Sequence, residues 1–203
     1  MAIEAIVGLG NPGEEYALTR HNAGYEVVDR VHRKLRGGEW RRAYRSVVTR
    51  TRRGRPVLLA KPQTYMNRSG EAVEALLSGE GLRPSQVLVV VDDVDLPLGA
   101  VRLRPSGGPG THNGLRDIVD AVGTGFPRLR LGVGGAAPGT DLAEYVLSPF
   151  AGGERERAET MFDTAAEAVV TAVFEGVTAA MNRFNRVPEE NRGGDPEETR
   201  GGG

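Results

Sequence analysis

Two kinds of hydrophobic pattern alternate along this chain. Short apolar or alternating runs predict β-strands, at residues 2–9, 45–51, 56–60, 87–91, 98–103 and 129–133. Apolar residues three or four positions apart predict helices, at residues 69–77, 113–122, 154–174 and 177–184, and in a further helix that Asn22 caps and Gly37–Gly38 ends. The turn signal at 52–54 adds an antiparallel hairpin. We therefore predict a single three-layer α/β/α domain with a mixed, mostly parallel, twisted sheet.

The predicted domain occupies residues 1–187. A chain of 203 residues suits one domain, and one of this length can bury a sizeable core without disulfides or a structural metal. From Pro188 onward the sequence consists mainly of acidic residues, proline and glycine. Such a segment buries too little apolar surface to fold, so residues 188–203 are predicted to be a disordered tail.

Composition excludes several classes of protein. The chain contains 0 cysteines, which excludes a disulfide framework, a thiolate nucleophile and a cysteine-ligated metal site. No apolar run approaches the roughly 18 residues of a membrane span, and residues 1–4 do not begin a signal peptide. We therefore expect a cytoplasmic protein that does not contact a membrane.

Charge is unevenly distributed. The net charge of −1 argues against a general nucleic-acid binder, yet residues 30–55 contain eleven basic residues and a single acid, Glu39. A nearly neutral chain can still present one basic face. The alternative is an ordinary solvated surface in a protein that uses arginine almost exclusively as its cation.

Polar motifs follow the predicted strands. In an α/β sheet the ligand site lies beyond the carboxyl ends of the strands. The motifs occupy residues 10–22, 61–67, 91–97 and 106–114, and each comes after a strand. The last of them is a glycine-rich loop, which exposes backbone N–H groups and lets a substrate approach closely.

The side chains in these motifs indicate acid–base chemistry without a protein nucleophile. No serine stands in a nucleophile elbow, and no H-E-x-x-H motif occurs. His21 can act as a general base, and Asp92, at the end of the most apolar strand, can orient it. Asparagine amides can hold a carbonyl and stabilise an oxyanion. This set suits water attack on an activated ester, although His21 could also be a capping residue and Asp92 part of a solvated turn.

Two other interpretations use the same motifs. Gly8, Gly10 and Gly13 match a dinucleotide-binding fingerprint, but Pro12 disfavours the helix that should carry the third glycine. A metal hydrolase could use His21, His112 and an aspartate as ligands, since two histidines and one carboxylate can hold a metal. No local ligand spacing supports that second interpretation, and we expect no metal and no other cofactor.

Five motifs in the same order resemble those of bacterial peptidyl-tRNA hydrolases. They lie at residues 10–16, 19–24, 62–70, 92–97 and 112–116, and the resemblance extends over about residues 3 to 186. It implies a monomeric cytosolic esterase that needs no metal. Such an enzyme cleaves the ester between a peptide and the 3′ ribose of tRNA, recycling peptidyl-tRNA that ribosomes release.

The resemblance assigns a role to each site residue by position. His21 is the general base, and Asp92 orients it. Asn11 and Asn67 hold the substrate near the reacting carbonyl. Asn113 contacts the substrate or the attacking water from the side of the glycine-rich loop.

Further positions of the resemblance line the cleft or bind tRNA. Met66 and Tyr16 are expected to line the cleft. Arg104 and Arg130 match the basic pair that clamps the 5′-phosphate of tRNA at its acceptor end. Arginine offers such a phosphate two parallel hydrogen bonds, whereas lysine offers a point charge.

Departures from the family pattern affect two loops. The family has two glycines before its His–Asn pair, where this chain has Gly110–Thr111, so a stiffer or displaced loop is expected because threonine tolerates positive φ poorly. The loop at 134–141 lacks the basic residue that family members often carry, and the basic run at 30–55 could compensate. A non-catalytic RNA-binding relative is a further alternative, but such a module would not need both His21 and Asp92. The tail beyond Pro188 lies outside the resemblance and is expected to be dispensable.

Overall fold

A mixed sheet of seven strands forms the middle layer of the structure, a computed structural model that describes residues 2–137 and 139–185. The strands are β1 (Ala5–Gly8), β2 (Arg41–Ala43), β3 (Ser46–Arg50), β4 (Leu58–Pro62), β5 (Val87–Asp93), β6 (Val101–Arg104) and β7 (Arg128–Gly132). Their order across the sheet is β2-β3-β4-β1-β5-β7-β6. The four central strands, β4, β1, β5 and β7, are parallel to one another. Strands β2, β3 and β6 run antiparallel to their neighbours.

Helices cover both faces of this sheet. They are α1 (Ala23–Lys34), α2 (Ser69–Glu80), α3 (Asn113–Val122), α4 (Leu142–Val146), α5 (Gly152–Phe174) and α6 (Val177–Phe184). The buried residues of α1, α5 and α6 form one hydrophobic core against the sheet, and those of α2 and α3 form a second core on the opposite face. The predicted three-layer α/β/α class is therefore confirmed.

Strand β5 shows why the sheet is buried on both faces. All seven of its residues are buried. Leu88 and Val90 face the core beneath α1 and α5, whereas Val89 and Val91 face the core beneath α2 and α3. A continuous apolar run is typical of a parallel strand covered on both sides. It places the polar end of β5, Asp92–Asp93, at the carboxyl edge of the sheet.

Most predicted elements are found within a few residues of their predicted bounds. Two elements of the structure, β2 and α4, were not predicted. Strand β2 has only three residues, two of them exposed arginines, and α4 has five. Elements so short contain too few positions for a hydrophobic period to emerge. The predicted domain end at 187 and the tail 188–203 lie outside the described residues.

Among the helices of the described ranges, none combines the length and apolar character that crossing a membrane requires.

Candidate active site

A histidine and an aspartate from distant parts of the chain meet at the carboxyl edge of the sheet. His21 lies in a 3₁₀ turn, Arg20–Asn22, that leads into α1, and Asp92 lies near the end of β5. The His21 Nδ1 is 3.0 Å from each carboxylate oxygen of Asp92. Both residues are buried. The predicted pairing of His21 with Asp92 is thus present in the fold.

A second histidine binds the same carboxylate. His112 Nε2 lies 3.0 Å from Asp92 Oδ1. The other ring nitrogen, His112 Nδ1, accepts the backbone N–H of Leu115 at 3.1 Å and caps the start of α3. Because a nitrogen that accepts a hydrogen bond carries no proton, the proton of a neutral His112 ring is on Nε2 and is donated to Asp92. Nothing in the sequence motif distinguishes His112 from a simple capping residue, so this role emerges only in the fold.

The two histidines determine the charge state of Asp92. Burial alone would raise the pKa of this carboxyl. The charges of His112 and His21, together with their hydrogen bonds, outweigh burial and hold the pKa of Asp92 well below its usual range. Asp92 is therefore a carboxylate, which accepts a hydrogen bond from His21 Nδ1 and leaves Nε2 of a neutral His21 ring as the basic nitrogen.

His21 and Asp92 border a cleft of about 100 Å³. Three residues of the unpredicted helix α4 also line this cleft: Leu142, Ala143 and Val146. Polar groups on the cleft surface include His112, Asn113 and Arg130. An apolar cleft with a few convergent polar groups is the usual form of a substrate site. Of the predicted site residues, the structure brings His21, Asp92, Asn113 and Arg130 to this cleft.

Asn11 is held beside the cleft by a network that includes Asn22. The Asn22 side chain accepts the backbone N–H of Asn11 at 2.8 Å and donates to its carbonyl at 3.0 Å. The side-chain oxygen of Asn11 accepts the backbone N–H of Met66 at 2.8 Å. Asn22 stands at the predicted N-cap position of α1, but its side-chain amide makes no capping hydrogen bond and holds Asn11 instead.

The remaining predicted cleft residues lie around this network. Met66 is buried, and a Cβ on Gly114 would lie 2.6 Å from its sulfur, so Met66 packs against the start of α3. Asn67 is exposed in the 3₁₀ turn Met66–Arg68, and Tyr16 is half-buried in the turn Glu14–Tyr16. None of Asn11, Tyr16, Met66 and Asn67 lies on the wall of the 100 Å³ cleft itself.

A basic groove of about 510 Å³ adjoins the cleft, on the face of β6 and β7 covered by neither α5 nor α6. Antiparallel pairing sets Arg102 beside Arg130 and Arg104 beside Arg128, so all four arginines share that face. The sequence interpretation included only Arg104 and Arg130. Alternation along the two strands was the signal that could have added the other two.

The four arginines of the basic groove are not equivalent. Arg128 is buried and donates to the carbonyls of Gly107 and Gly108, and its burial, followed by the charge of Arg130, lowers its pKa to about 10. Arg130 forms an ion pair with Asp93 at 3.0 Å and donates to the Gly108 carbonyl. Arg102 and Arg104 have no ion pair within residues 2–137 and 139–185. Arg130 lines both the cleft and the groove.

The glycine-rich loop does not carry the strain expected at Thr111. Gly110 adopts the left-handed conformation, with φ of 61°, whereas Thr111 does not. The conformational reason for expecting a stiffer or displaced loop, a positive φ at Thr111, is therefore absent. Gly110 also packs against the guanidinium of Arg130.

The dinucleotide interpretation lacks the geometry it needs, whereas the metal interpretation has a suitable grouping of ligand atoms. Gly13 has φ of 121° and precedes a single 3₁₀ turn, not the helix of a dinucleotide site. Ligand atoms of His21, Asp92 and His112 lie within 4.8 Å of one another, a grouping that could hold a metal ion. The His112 nitrogen that faces Asp92 is, however, the protonated one, and it has no lone pair to offer a metal.

The fold and the site define an α/β enzyme with a histidine–aspartate pair at the carboxyl edge of its sheet. Residues 5–192 match the model of the peptidyl-tRNA hydrolase family. The chain belongs to that family, as its motifs predict, and it is a hydrolase.

Relatives and solved structures agree with this assignment. A peptidyl-tRNA hydrolase of Rubrobacter xylanophilus is 47% identical over 180 residues, covering 88% of this chain and 98% of the relative. One of Carboxydothermus hydrogenoformans is 48% identical over 183 residues, covering 89% and 97%. The crystal structure of peptidyl-tRNA hydrolase from Acinetobacter baumannii superposes with a TM-score of 0.84 at 37% identity, covering 91% of this chain and 95% of that one.

Proposed function

We propose that this enzyme hydrolyses the ester between a peptide and the 3′ ribose of tRNA, using a water molecule activated by His21. The observation that carries the proposal is the state of the His21 ring. Its Nδ1 is fixed by the ionised, buried Asp92, and its Nε2 makes no hydrogen bond to any described residue. A neutral histidine held in this way at the wall of a cleft is a general base with its lone pair available.

In this mechanism Nε2 of His21 removes a proton from water as the water oxygen attacks the ester carbonyl. The tetrahedral intermediate then collapses, and the proton on Nε2 passes to the departing 3′ oxygen of the ribose. Asp92 stabilises the imidazolium that exists between the two proton transfers. A ribose hydroxyl leaves more readily than an amine, so this apparatus suffices for an ester without a covalent intermediate.

His112 is a positioning residue in this scheme. Its Nε2–H occupies one side of Asp92 Oδ1 at 3.0 Å, which restricts rotation of the carboxylate toward the cleft. The helix cap at Leu115 in turn fixes the His112 ring. A base supported by hydrogen bonds in two successive layers keeps its reactive geometry when the substrate is absent.

Asparagine amides supply the polar contacts around the reacting carbonyl. The Asn11 oxygen is committed to Met66 N–H, so its Nδ2 is the group that can donate to substrate. Asn113 lines the cleft. Asn67, exposed in the turn Met66–Arg68, is proposed to hold the substrate together with Asn11. An amide donor aimed at a developing oxyanion contributes more in the transition state than in the ground state.

The basic groove binds the acceptor end of tRNA through its 5′-phosphate. Arg104 has no competing ion pair among the described residues, and Arg130 joins the groove to the cleft. Arg102 adds a third cation on the same face. Arginines fitted to a terminal phosphate position the substrate, whereas the cleft performs the reaction.

The biological role proposed here is recycling of tRNA from peptidyl-tRNA released by stalled ribosomes. The enzyme would act in the cytoplasm as a monomer, with residues 1–187 as its catalytic domain and 188–203 dispensable for the chemistry. Water activation by His21 supported by Asp92 requires no metal ion, so activity is expected to survive treatment with a chelator.

The deciding experiment compares N-acetyl-aminoacyl-tRNA with free aminoacyl-tRNA as substrates. The proposal requires release of the N-acetyl-amino acid from N-acetyl-aminoacyl-tRNA, whereas free aminoacyl-tRNA should not be cleaved. His21→Asn is the matched control, and it should lose the activity while keeping the fold. Loss of activity in a chelator that a divalent ion restores would instead favour the metal site at His21, Asp92 and His112.

A further inference from the structure

The chain leaves the described part of the structure at the free edge of the basic groove. β6 is the last strand of the sheet on that side. Its residue Leu103 donates its backbone N–H to Asn185 Oδ1 at 2.6 Å, and Asn185 Nδ2 donates to the Leu103 carbonyl at 2.9 Å. Asn185 is the last described residue, so the segment 186–203 starts beside Leu103.

The starting point of this segment is flanked by Arg102 and Arg104 of β6. Arg102 and Arg104 adjoin Leu103 in β6, and neither forms an ion pair in the part of the chain that the structure describes. Two carboxylates also line the groove. Asp93 is occupied by Arg130, and Asp95 is exposed at the rim. The groove therefore keeps an excess of positive charge.

The sequence of residues 186–203 complements that charge. It contains five acidic residues and three arginines. The first acids, Glu189 and Glu190, follow Asn185 by four and five residues. An extended chain covers at most about 3.6 Å per residue, so neither residue can be farther than roughly 18 Å from Asn185. Arg102 and Arg104 are thus within reach of these carboxylates.

We propose that the acidic residues of 186–203 dock in the basic groove and compete there with the phosphates of RNA. The contact itself follows from the tether and the charges, and the competition rests on the proposed phosphate-binding role of the groove. A single exposed ion pair is weak and is screened by salt. A short tether, however, gives an effective concentration in the millimolar range. Several weak pairs then occupy the groove for a substantial part of the time.

Docking of this kind lowers the apparent affinity for RNA without altering the chemical step. A competitor multiplies the apparent dissociation constant of the RNA by a factor. That factor is one plus the ratio of the competitor's effective concentration to its own dissociation constant. For millimolar values of both quantities the expected change is about two- to tenfold at low salt. The value of kcat stays unchanged, in keeping with a segment that is dispensable for catalysis.

The contact can be tested without any RNA. Because the chain contains 0 cysteines, a spin label on the variant Asn191→Cys is the sole label. At about 50 mM salt, amide signals of the groove loop Ser106–Gly108 should broaden, and they should recover when salt shortens the Debye length to about 3 Å. The double variant Arg102→Gln, Arg104→Gln should abolish the broadening. Absence of broadening, or equal broadening of Arg41–Ala43 at the far edge of the sheet, would overturn the contact.

The competition is measured with a 5′-phosphorylated RNA hairpin that carries no peptide, so hydrolysis plays no part. The full chain is compared with a variant whose five tail acids are changed: Glu189→Gln, Glu190→Gln, Asp195→Asn, Glu197→Gln and Glu198→Gln. The variant should bind the hairpin about two- to tenfold more tightly at low salt. The gain should vanish at high salt and in the Arg102→Gln, Arg104→Gln background.

Two results separate this proposal from the proposed function. Equal affinity of the full chain and the acid-free variant at low salt would overturn the competition, whatever the activity of the enzyme. Hairpin affinity that is unchanged by Arg104→Gln would overturn the phosphate-binding role of the groove, and with it the competition. Broadening by the spin label would still establish the contact in that case.

Discussion

The cleft and the basic groove lie on either side of Arg130 and are built in opposite ways. In the cleft the carboxylate of Asp92 is buried and is matched by two histidines. In the groove Arg102 and Arg104 face solvent without ion pairs among the described residues. A closed hydrogen-bond network fixes geometry, whereas free surface charge attracts a ligand and responds to salt. The comparison assigns the chemical step to one region and substrate affinity to the other.

The largest effect is expected from His21→Asn. Removal of a general base typically lowers the rate by about 10²–10⁴-fold, or roughly 3–5 kcal/mol of barrier. The cleft is not where affinity arises, so kcat should fall by that order while KM changes little. Steady-state kinetics on N-acetyl-aminoacyl-tRNA would measure both constants. A large rise in KM at constant kcat would contradict the assignment of the chemical step to the cleft and of substrate affinity to the groove.

Asp92→Asn should reduce kcat less than His21→Asn does. The imidazole remains, but it loses the carboxylate that holds its Nδ1–H and stabilises the imidazolium. Groups that act as a unit are not additive, so the double variant should cost little beyond His21→Asn alone. Full additivity of the two losses would show that the residues act separately.

Asp92 also makes the stability of the folded enzyme depend on pH in the acid range. The histidines hold its pKa well below the usual range, so the carboxylate stays ionised at neutral pH. Its stabilising contribution is present at and above the unfolded-state pKa, and is lost only as pH falls toward the lower folded-state value. Acid loss of stability should therefore shift to higher pH in His112→Asn, which removes one of the charges. Thermal unfolding measured across acid pH tests this shift, and identical acid limbs in the two proteins would argue against it.

Substitutions in the basic groove should change KM and the dependence of substrate binding on salt concentration. Each phosphate neutralised contributes about −0.7 to −0.9 to the slope of log K against log salt. Arg104→Ala and Arg130→Ala together should raise KM and flatten that slope, with kcat little changed. Arg83→Ala, at an exposed arginine between α2 and β5 and outside the basic run 30–55, is the matched control. An unchanged salt slope in the double variant would remove the groove from substrate binding.

The smallest effect is expected from Asn22, whose side chain holds the backbone of Asn11 beside the cleft. Asn22→Ala leaves the backbone N–H and carbonyl of the buried Asn11 without their partner. An unsatisfied buried group costs about 1–3 kcal/mol, or roughly 3–10 °C in Tm for a chain of this size. Calorimetry measures this loss. Asn22→Asp, which keeps one of the two hydrogen bonds, should lose less, and an equal loss would mean that the network is not the cause.

Local pattern was sufficient for most of the fold and for the pairing of His21 with Asp92. The helix at 113–122 and the hairpin around 52–54 follow from periodicity and turn residues that lie close together in sequence. His112 and Asn22 acquire their roles from partners 20 and 11 positions away, and no local pattern records such contacts. The helix α4 was missed for a different reason, since five residues hold little more than one helical turn.

The most direct test of the whole account is the dependence of the single-turnover rate on pH at saturating substrate. A general base must be unprotonated, so the rate of the native enzyme should rise with pH and level off. In His21→Asn the rising limb should vanish together with most of the rate. A variant that keeps both the limb and a near-normal rate would contradict the assignment of His21 as the base.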